Sequence, residues 1–381
     1  MVYPPFSEVR SWMFDAALPL WASKGVDHDH GGFLEELDFA AAPTDAPLKR
    51  TRVTCRQTYV FAHAATLGWT EGANLAARGV DYLLNKAWIG PQEGFAKKLR
   101  RDGSVADATP DLYDLAFTLF AFSWAHRALG CADSLRGMRL TMDFLSGHMR
   151  HPEGGFAHEL PMRGWRLQNP HMHLFEASLV AFEATQDEVY LDLAHEMFAL
   201  FSAKFFDGRT LAEYFTVDWR RAPGDEGRIA EPGHQLEWAW ILAQYGKVSG
   251  VDVVTPATQL VRFAERHGVD PATGATCMAV RDDGVVIDGS SRTWPNTERI
   301  KGWLGLFDLT GEDPRAPVAR STRLLLNRYL ATETPGLWID HFDAAGEPIA
   351  QTAPASTLYH VFLAFAELLR LEPRLAALDQ A

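Results

Sequence analysis

Arg52 and Arg56, Tyr113, Asn169 and His173, His234 and Glu237, Trp294 and Glu298, and Ser356 and His360 are the residues best suited to acid–base chemistry in this chain. They fall in six segments that are otherwise strongly apolar. Within each pair the step is three or four, which puts both side chains on one face of a helix. Histidine titrates near neutrality and suits proton transfer, a carboxylate on its other nitrogen fixes the tautomer, and arginine stays charged beside an oxyanion. One histidine in an apolar helix is ordinary core; three at the same depth of separate helices predict a site.

Other candidates read differently. His171 and His173 are two apart and diverge on a helix, which argues against joint chelation of a metal. His63, Trp124 and Trp240 are expected in the core, and Asp27-His28-Asp29-His30 in a loop. His234 and Glu237 have the i, i+3 spacing of a metal pair. With no second such pair counted on another helix, an oriented base is expected instead, and no metal or other cofactor.

These segments need elements that bring them together. A turn glycine followed by an aromatic or apolar residue and a short alternating run recurs at Gly32, Gly94 and Gly155, and more weakly at Gly208, Gly274 and Gly336. The successive spacings are about 62, 61, 53, 66 and 62 residues, a repeat of six units. Each interval has the three- and four-residue apolar steps of two helices. The more charged set covers about 7–22, 71–88, 131–148, 187–203, 254–267 and 313–331. The more apolar set covers about 51–68, 110–129, 170–185, 232–247, 294–308 and 354–371, and should be the buried one.

Six such hairpins predict an all-α fold, an (α/α)6 barrel with six inner helices ringed by six outer ones and short β-hairpin-like loops at one end; an open α-solenoid is the alternative. Connections into the inner helices are long and contain the glycine phrase, so all lie at one mouth, where function tends to sit. Pro110, Pro170, Pro232, Pro295 and Pro354 mark the beginnings of inner helices. No linker or low-complexity tract divides the chain, so residues 1–381 are expected to form one domain.

Composition narrows the class. Of 381 residues, 47% are hydrophobic and 22% charged, against disorder or a fibrous rod. Lys+Arg 36 against Asp+Glu 49 gives a net charge of −13, which opposes nucleic acid and anionic membranes as partners and favours a small-molecule substrate. Cys55, Cys131 and Cys277 are scattered and odd in number, so neither a disulfide framework nor a zinc cluster is expected. With no export signal or spanning segment read from the sequence, a cytoplasmic protein, monomeric or homodimeric, is the expectation.

The six segments also carry a resemblance. Cys55-Arg56-Gln57-Thr58-Tyr59, Asp111 to Phe117, Asn169-Pro170-His171-Met172-His173, Pro232 to Trp240, Arg292 to Glu298 and Pro354 to His360 resemble, in order, the N-acylglucosamine 2-epimerase superfamily, which includes mannose isomerase, sulfoquinovose isomerase and cellobiose 2-epimerase. The resemblance implies the (α/α)6 barrel and metal-independent chemistry at C1 and C2 of a reducing monosaccharide. It implies Arg56, His173, His234, Glu237, Glu298 and His360 as the catalytic set, with Arg52, Tyr113, Asn169, Trp294 and Ser356 as substrate contacts.

Glu237 and Glu298 are the expected carboxylate partners of the histidines. His360 is expected to move the proton between C1 and C2, His234 to assist ring opening and His173 to polarise the O1/O2 end; the first two roles are exchangeable. Interconversion of mannose, or a close aldose such as lyxose, with fructose through a cis-enediolate ranks first, and 2-epimerisation second. A glycoside hydrolase using Glu237 and Glu298, or a sugar-binding module, are the readings from other classes.

Overall fold

The computed structural model describes residues 3–379. Twelve helices alternate along them. The odd-numbered ones are α1 (6–24), α3 (71–87), α5 (132–149), α7 (188–205), α9 (Val254–His267) and α11 (315–329). The even-numbered ones are α2 (Thr51–Thr66), α4 (Leu112–Leu129), α6 (Asn169–Thr185), α8 (Pro232–Ser249), α10 (Thr293–Thr310) and α12 (Leu358–Ala377).

The even helices form the inner ring. α2 packs on α4, α4 on α6, α6 on α8, α8 on α10, α10 on α12, and α12 returns to α2. This is the closed (α/α)6 arrangement, and the solenoid alternative is excluded. The inner helices are buried on almost every side: α4 is buried without a break from Asp114 to Ala125, and α10 from Pro295 to Phe307. The outer helices are amphipathic and bury one stripe. Gly302 and Gly305 of α10 bring it against the backbone of α8, where an added Cβ would sit 3.1 Å from the Leu236 carbonyl oxygen and from the Trp240 Cα.

Helix boundaries have local causes. α4 begins at Leu112 rather than 110 because the Asp111 side chain accepts the Asp114 N–H as an N-cap. Pro110 therefore lies outside the helix, whereas Pro170 and Pro232 occupy the first turn of α6 and α8. Pro354 precedes a 3-10 turn, Ala355–Thr357, that leads into α12.

The loops at the mouth are more than local hairpins. The stretch that enters each inner helix pairs, antiparallel, with the segment after the turn glycine of the next repeat. Residues 48–50 pair with 98–100, 166–167 with 214–215, 229–230 with 280–281, and 291–292 with 341–342. Asp111 bridges Glu159, and residues 353–354 pair back onto 36–37, closing the cycle. The six glycine phrases, including the three weak ones, thus mark six equivalent ladders that fix where each inner helix starts.

Candidate active site

Because every inner helix starts at the same end, first-turn side chains of all six converge there. They enclose a cavity of about 300 Å³. Arg52, Arg56, Tyr113, Asn169, His173, His234, Glu237, Trp294, Ser356 and His360 all line it. Glu298, the remaining predicted residue, is fully buried behind His360. Arg50, Glu231, Met278, Arg292 and Thr357 complete the wall.

Each histidine has its Nδ1 on a carboxylate. His360 Nδ1 lies 2.9 Å from Glu298 Oε1, one of the two carboxylates expected to partner a histidine. His234 does not use Glu237, which corrects the expectation above: its Nδ1 lies 2.9 Å from Glu213 Oε2 and 3.4 Å from Glu231 Oε2. Glu213 arrives from the glycine phrase of the fourth loop and, with Glu231, takes the nitrogen that Glu237 does not reach. Gln168 donates to the same Glu213 oxygen at 2.8 Å and accepts from the Trp238 indole at 2.6 Å, which locks the carboxylate in place.

His173 Nδ1 lies 3.3 Å from Glu176 Oε2, and the Tyr359 hydroxyl donates to Glu176 at 2.7 Å. His173 and Glu176 are a second histidine–carboxylate pair at i, i+3, which the sequence reading did not count. Glu237 instead lines the cavity between the other two histidines: its carboxylate is within 4.8 Å of ligand atoms of both His173 and His360.

Three clusters, His173/Glu176/Glu237, Glu213/Glu231/His234 and Glu237/Glu298/His360, are compact enough to be tested as cation sites. In each an imidazole nitrogen is already turned to a carboxylate. In the third cluster the Lys301 ammonium lies 2.7 Å from Glu298 and 3.7 Å from Glu237, a positive charge that opposes a cation there. The donor set fits oriented bases.

The electrostatics divide the histidines. Burial disfavours a charged His234, but Glu213 and Glu231 outweigh it and push its pKa up to about 10. Burial also lowers His360, and the positive charges of Arg56 and Lys301 act in the same direction, holding it well below its ordinary value. Glu231 is pushed up to about 7 by burial and by Glu213, against the opposing pull of His234. At neutral pH one imidazole is a cation and the other a neutral base. The Trp294 ring lies beside both, with centroids 5.1 Å from His234 and 5.8 Å from His360. Its place is opened by Gly233, where a Cβ would come within 2.4 Å of the indole.

Four arginines line the cavity. Arg52 makes two contacts to the buried Asp114, at 2.7 and 3.0 Å, and covers the Tyr113 ring. Arg50 pairs with Glu35 and Arg292 with Asp340. Among the described residues Arg56 has no carboxylate partner. It donates to the Tyr113 hydroxyl at 2.6 Å and to the Ser356 carbonyl at 3.2 Å, lies over Phe117, and its buried Nε is unpartnered. Asn169 also keeps an unpartnered buried Oδ1.

The remaining histidines stay out of the site. His171 accepts from the Phe156 N–H and faces away from His173. His63 stacks on Trp124 at 4.1 Å and pairs with the Tyr59 hydroxyl. Asp27 caps the backbone of Asp29 and His30 in a loop and pairs with Lys49.

Sequence comparison agrees with this architecture. The family model described as N-acylglucosamine 2-epimerase (GlcNAc 2-epimerase) matches residues 31–364, and the chain belongs to that family. It is 36% identical over 377 residues to a protein of Rhizobium meliloti (strain 1021) named mannose-6-phosphate isomerase, covering 95% of this chain and 96% of that one. A cellobiose 2-epimerase of Bacteroides fragilis is 22% identical over 363 residues, with 89% and 91% covered. A crystal structure of D-mannose isomerase superposes with a TM-score of 0.87 at 24% identity, covering 97% of this chain and 99% of that one. The protein is an enzyme of the sugar isomerase/epimerase class. Among the described residues no helix is long and apolar enough to cross a membrane.

Proposed function

We propose that the protein interconverts D-mannose, or a close aldose such as D-lyxose, with the corresponding ketose through a cis-enediolate. The observation that carries this reading is a pair of unlike imidazoles facing one cavity beside Trp294: His234, with Nδ1 between the carboxylates of Glu213 and Glu231, which raise its pKa, and His360, with Nδ1 on Glu298, lowered by burial and by Arg56 and Lys301. A cationic imidazole can protonate a sugar oxygen during ring opening. A neutral one, with Nδ1–H donated to Glu298, presents a Nε2 lone pair to the acidic C2–H.

His360 Nε2 takes the C2 proton, and the electron pair closes the C1–C2 double bond as negative charge passes to O1. Arg56, the cavity arginine with no carboxylate to satisfy, is placed to hold that charge, helped by six inner-helix N-termini that all point there. The proton then returns to C1 while O2 becomes the carbonyl and its proton passes to O1, so the hydrogen count is unchanged. His173, steadied by Glu176, polarises the O1/O2 end, and Glu237, Arg52, Asn169, Tyr113, Trp294 and Ser356 contact the rest of the sugar. One base on one face suffices for isomerisation.

Arg50, Arg52 and Arg292 are each neutralised by a carboxylate, which supports an uncharged sugar over a phosphorylated one. Epimerisation at C2 is the second reading, favoured by two imidazoles beside Trp294 in one cavity and by the cellobiose 2-epimerase relative. Incubation with mannose, mannose 6-phosphate, lyxose or cellobiose in D2O, followed by NMR, separates these. Fructose carrying deuterium at C1, with deuterium appearing at C2 of the recovered mannose, is expected, and His360→Asn should reduce both at least about a hundredfold. Glucose from mannose without fructose, or turnover of the phosphate ester alone, refutes the first reading.

A further inference from the structure

Lys301 lies behind the cavity wall and contacts none of the space a sugar would fill. It is wholly buried, with Nζ 2.7 Å from Glu298 Oε2 and 3.7 Å from Glu237 Oε1, and it lies over the rings of Trp240 and Tyr359 at 4.5 and 5.9 Å. An ammonium taken out of water is costly unless it is paired. We propose that Lys301 is a positioning residue for the proton transfer: its ammonium holds Glu298 as acceptor of the His360 Nδ1–H and so keeps the Nε2 lone pair on the cavity side. The proposal rests on the reading of His360 as the base.

The geometry couples the three groups in a line. Glu298 turns Oε1 to His360 and Oε2 to Lys301, three residues on along α10, so one carboxylate connects ammonium and imidazole. The other charged or titratable groups facing this cluster are Glu176 and His173 from α6, Glu237 and His234 from α8, Arg56 from α2 and Tyr359 from α12.

Burial and Glu237 push the Glu298 carboxyl well up, with Glu176 adding to them, and Lys301 is the charge that opposes all three. Burial works against charge on Lys301 itself, but Glu298, Glu237 and Glu176 outweigh it, so the ammonium persists. Glu298 is held above its ordinary value even beside Lys301; with the ammonium gone it binds its proton more tightly still and donates it to Nδ1. A neutral imidazole carries one proton, which then sits on Nε2, and the nitrogen facing the sugar has no lone pair left. The sequence signal was Glu298-x-x-Lys301, a charge pair at helical spacing inside an otherwise apolar segment.

Lys301→Met, Lys301→Arg, Glu298→Gln and the double variant K301M/E298Q test this, with H360N as reference. For K301M a kcat loss of about a hundredfold near neutral pH is expected with KM held within about threefold, because the lysine touches no substrate. The acid limb of the pH profile should move up by about one to three units, the usual effect of an adjacent charge. K301R should recover most of the rate, and the double variant should lose no more than E298Q alone. In 15N spectra of histidine-labelled enzyme without sugar, His360 should change from Nδ1–H to Nε2–H.

An unmoved pH profile and tautomer in K301M, or losses that multiply in the double variant, overturn the proposal. If K301M does not fold, Lys301→Gln, which keeps a polar side chain there without the charge, takes its place under the same outcomes. Failure of the underlying reading is distinct: H360N would then retain turnover, while the 15N tautomer still reports on Lys301.

Discussion

Replacing Glu213 by glutamine removes one charge from the partner of His234 and little else. Glu213 Oε2 lies 2.9 Å from His234 Nδ1 and is itself held by Gln168 at 2.8 Å, so an amide of the same shape can still accept a hydrogen bond. Burial alone would depress His234; Glu213 and then Glu231 raise it to about 10. An opposite charge at this range is worth about one to three pKa units, and Glu231 at 3.4 Å remains, so E213Q places His234 between about 7 and 9.

The protonated form is the acid, so activity is lost as pH rises through this pKa, and the basic limb of kcat/KM should move down. At pH 9 a group of pKa 10 is about nine-tenths protonated and one of pKa 8 about one-tenth, a loss of about tenfold that shrinks to near parity at about pH 6.5. Stability has the same sign. A folded-state pKa raised from 6.5 to about 10 stabilises fully below pH 6.5 and progressively less toward 10, and E213Q should narrow that window. Initial rates of mannose conversion measured from about pH 6 to 10.5 give the profile. A uniform loss with an unmoved basic limb would show that Glu213 acts through shape alone; unchanged rates at every pH would remove His234 as the acid.

Gly233→Ala should displace the Trp294 indole, because its Cβ would fall 2.4 Å from the ring; a rise in KM with smaller change in kcat, and a shifted Trp294 fluorescence signal, are expected, whereas normal kinetics would mean the ring does not border the sugar. His63 and His171 are buried, which lowers both to about 3 against 6.5 in the unfolded chain. The native state therefore binds fewer protons between those values, and stability should fall with pH below 6.5 by about 1.4 kcal/mol per unit for each. His63→Gln, which keeps an acceptor for the Tyr59 hydroxyl, should show a shallower drop in melting temperature between pH 7 and 4.5; an equal slope would show that His63 does not contribute.

Sequence periodicity was sufficient for the ring of helices and for the direction of its mouth, because helical spacing and the length of connections are properties of neighbouring residues. It also placed ten of the proposed site residues on one cavity wall, since residues three or four apart near the start of an inner helix share the face turned to the barrel axis. The assignment of carboxylates to histidines was decided by tertiary structure. Glu237 shares a helix face with His234, yet Glu213, 21 residues earlier in a loop, reaches the ring nitrogen, because the fourth loop folds back over the start of that helix.

Glu176 and Lys301 stood in the sequence at i, i+3 from known candidates and were legible in principle; what hid them was burial, since composition does not tell a solvated charge from one enclosed with its partners. The weak glycine phrases at 208, 274 and 336 acquired meaning only when each was seen to pair with the entry strand of the preceding inner helix. Local pattern determines which faces are apolar and where helices begin. Which charges meet inside, and so which imidazole is acid and which is base, depends on distances between residues far apart in the chain, and only the closed barrel sets those distances.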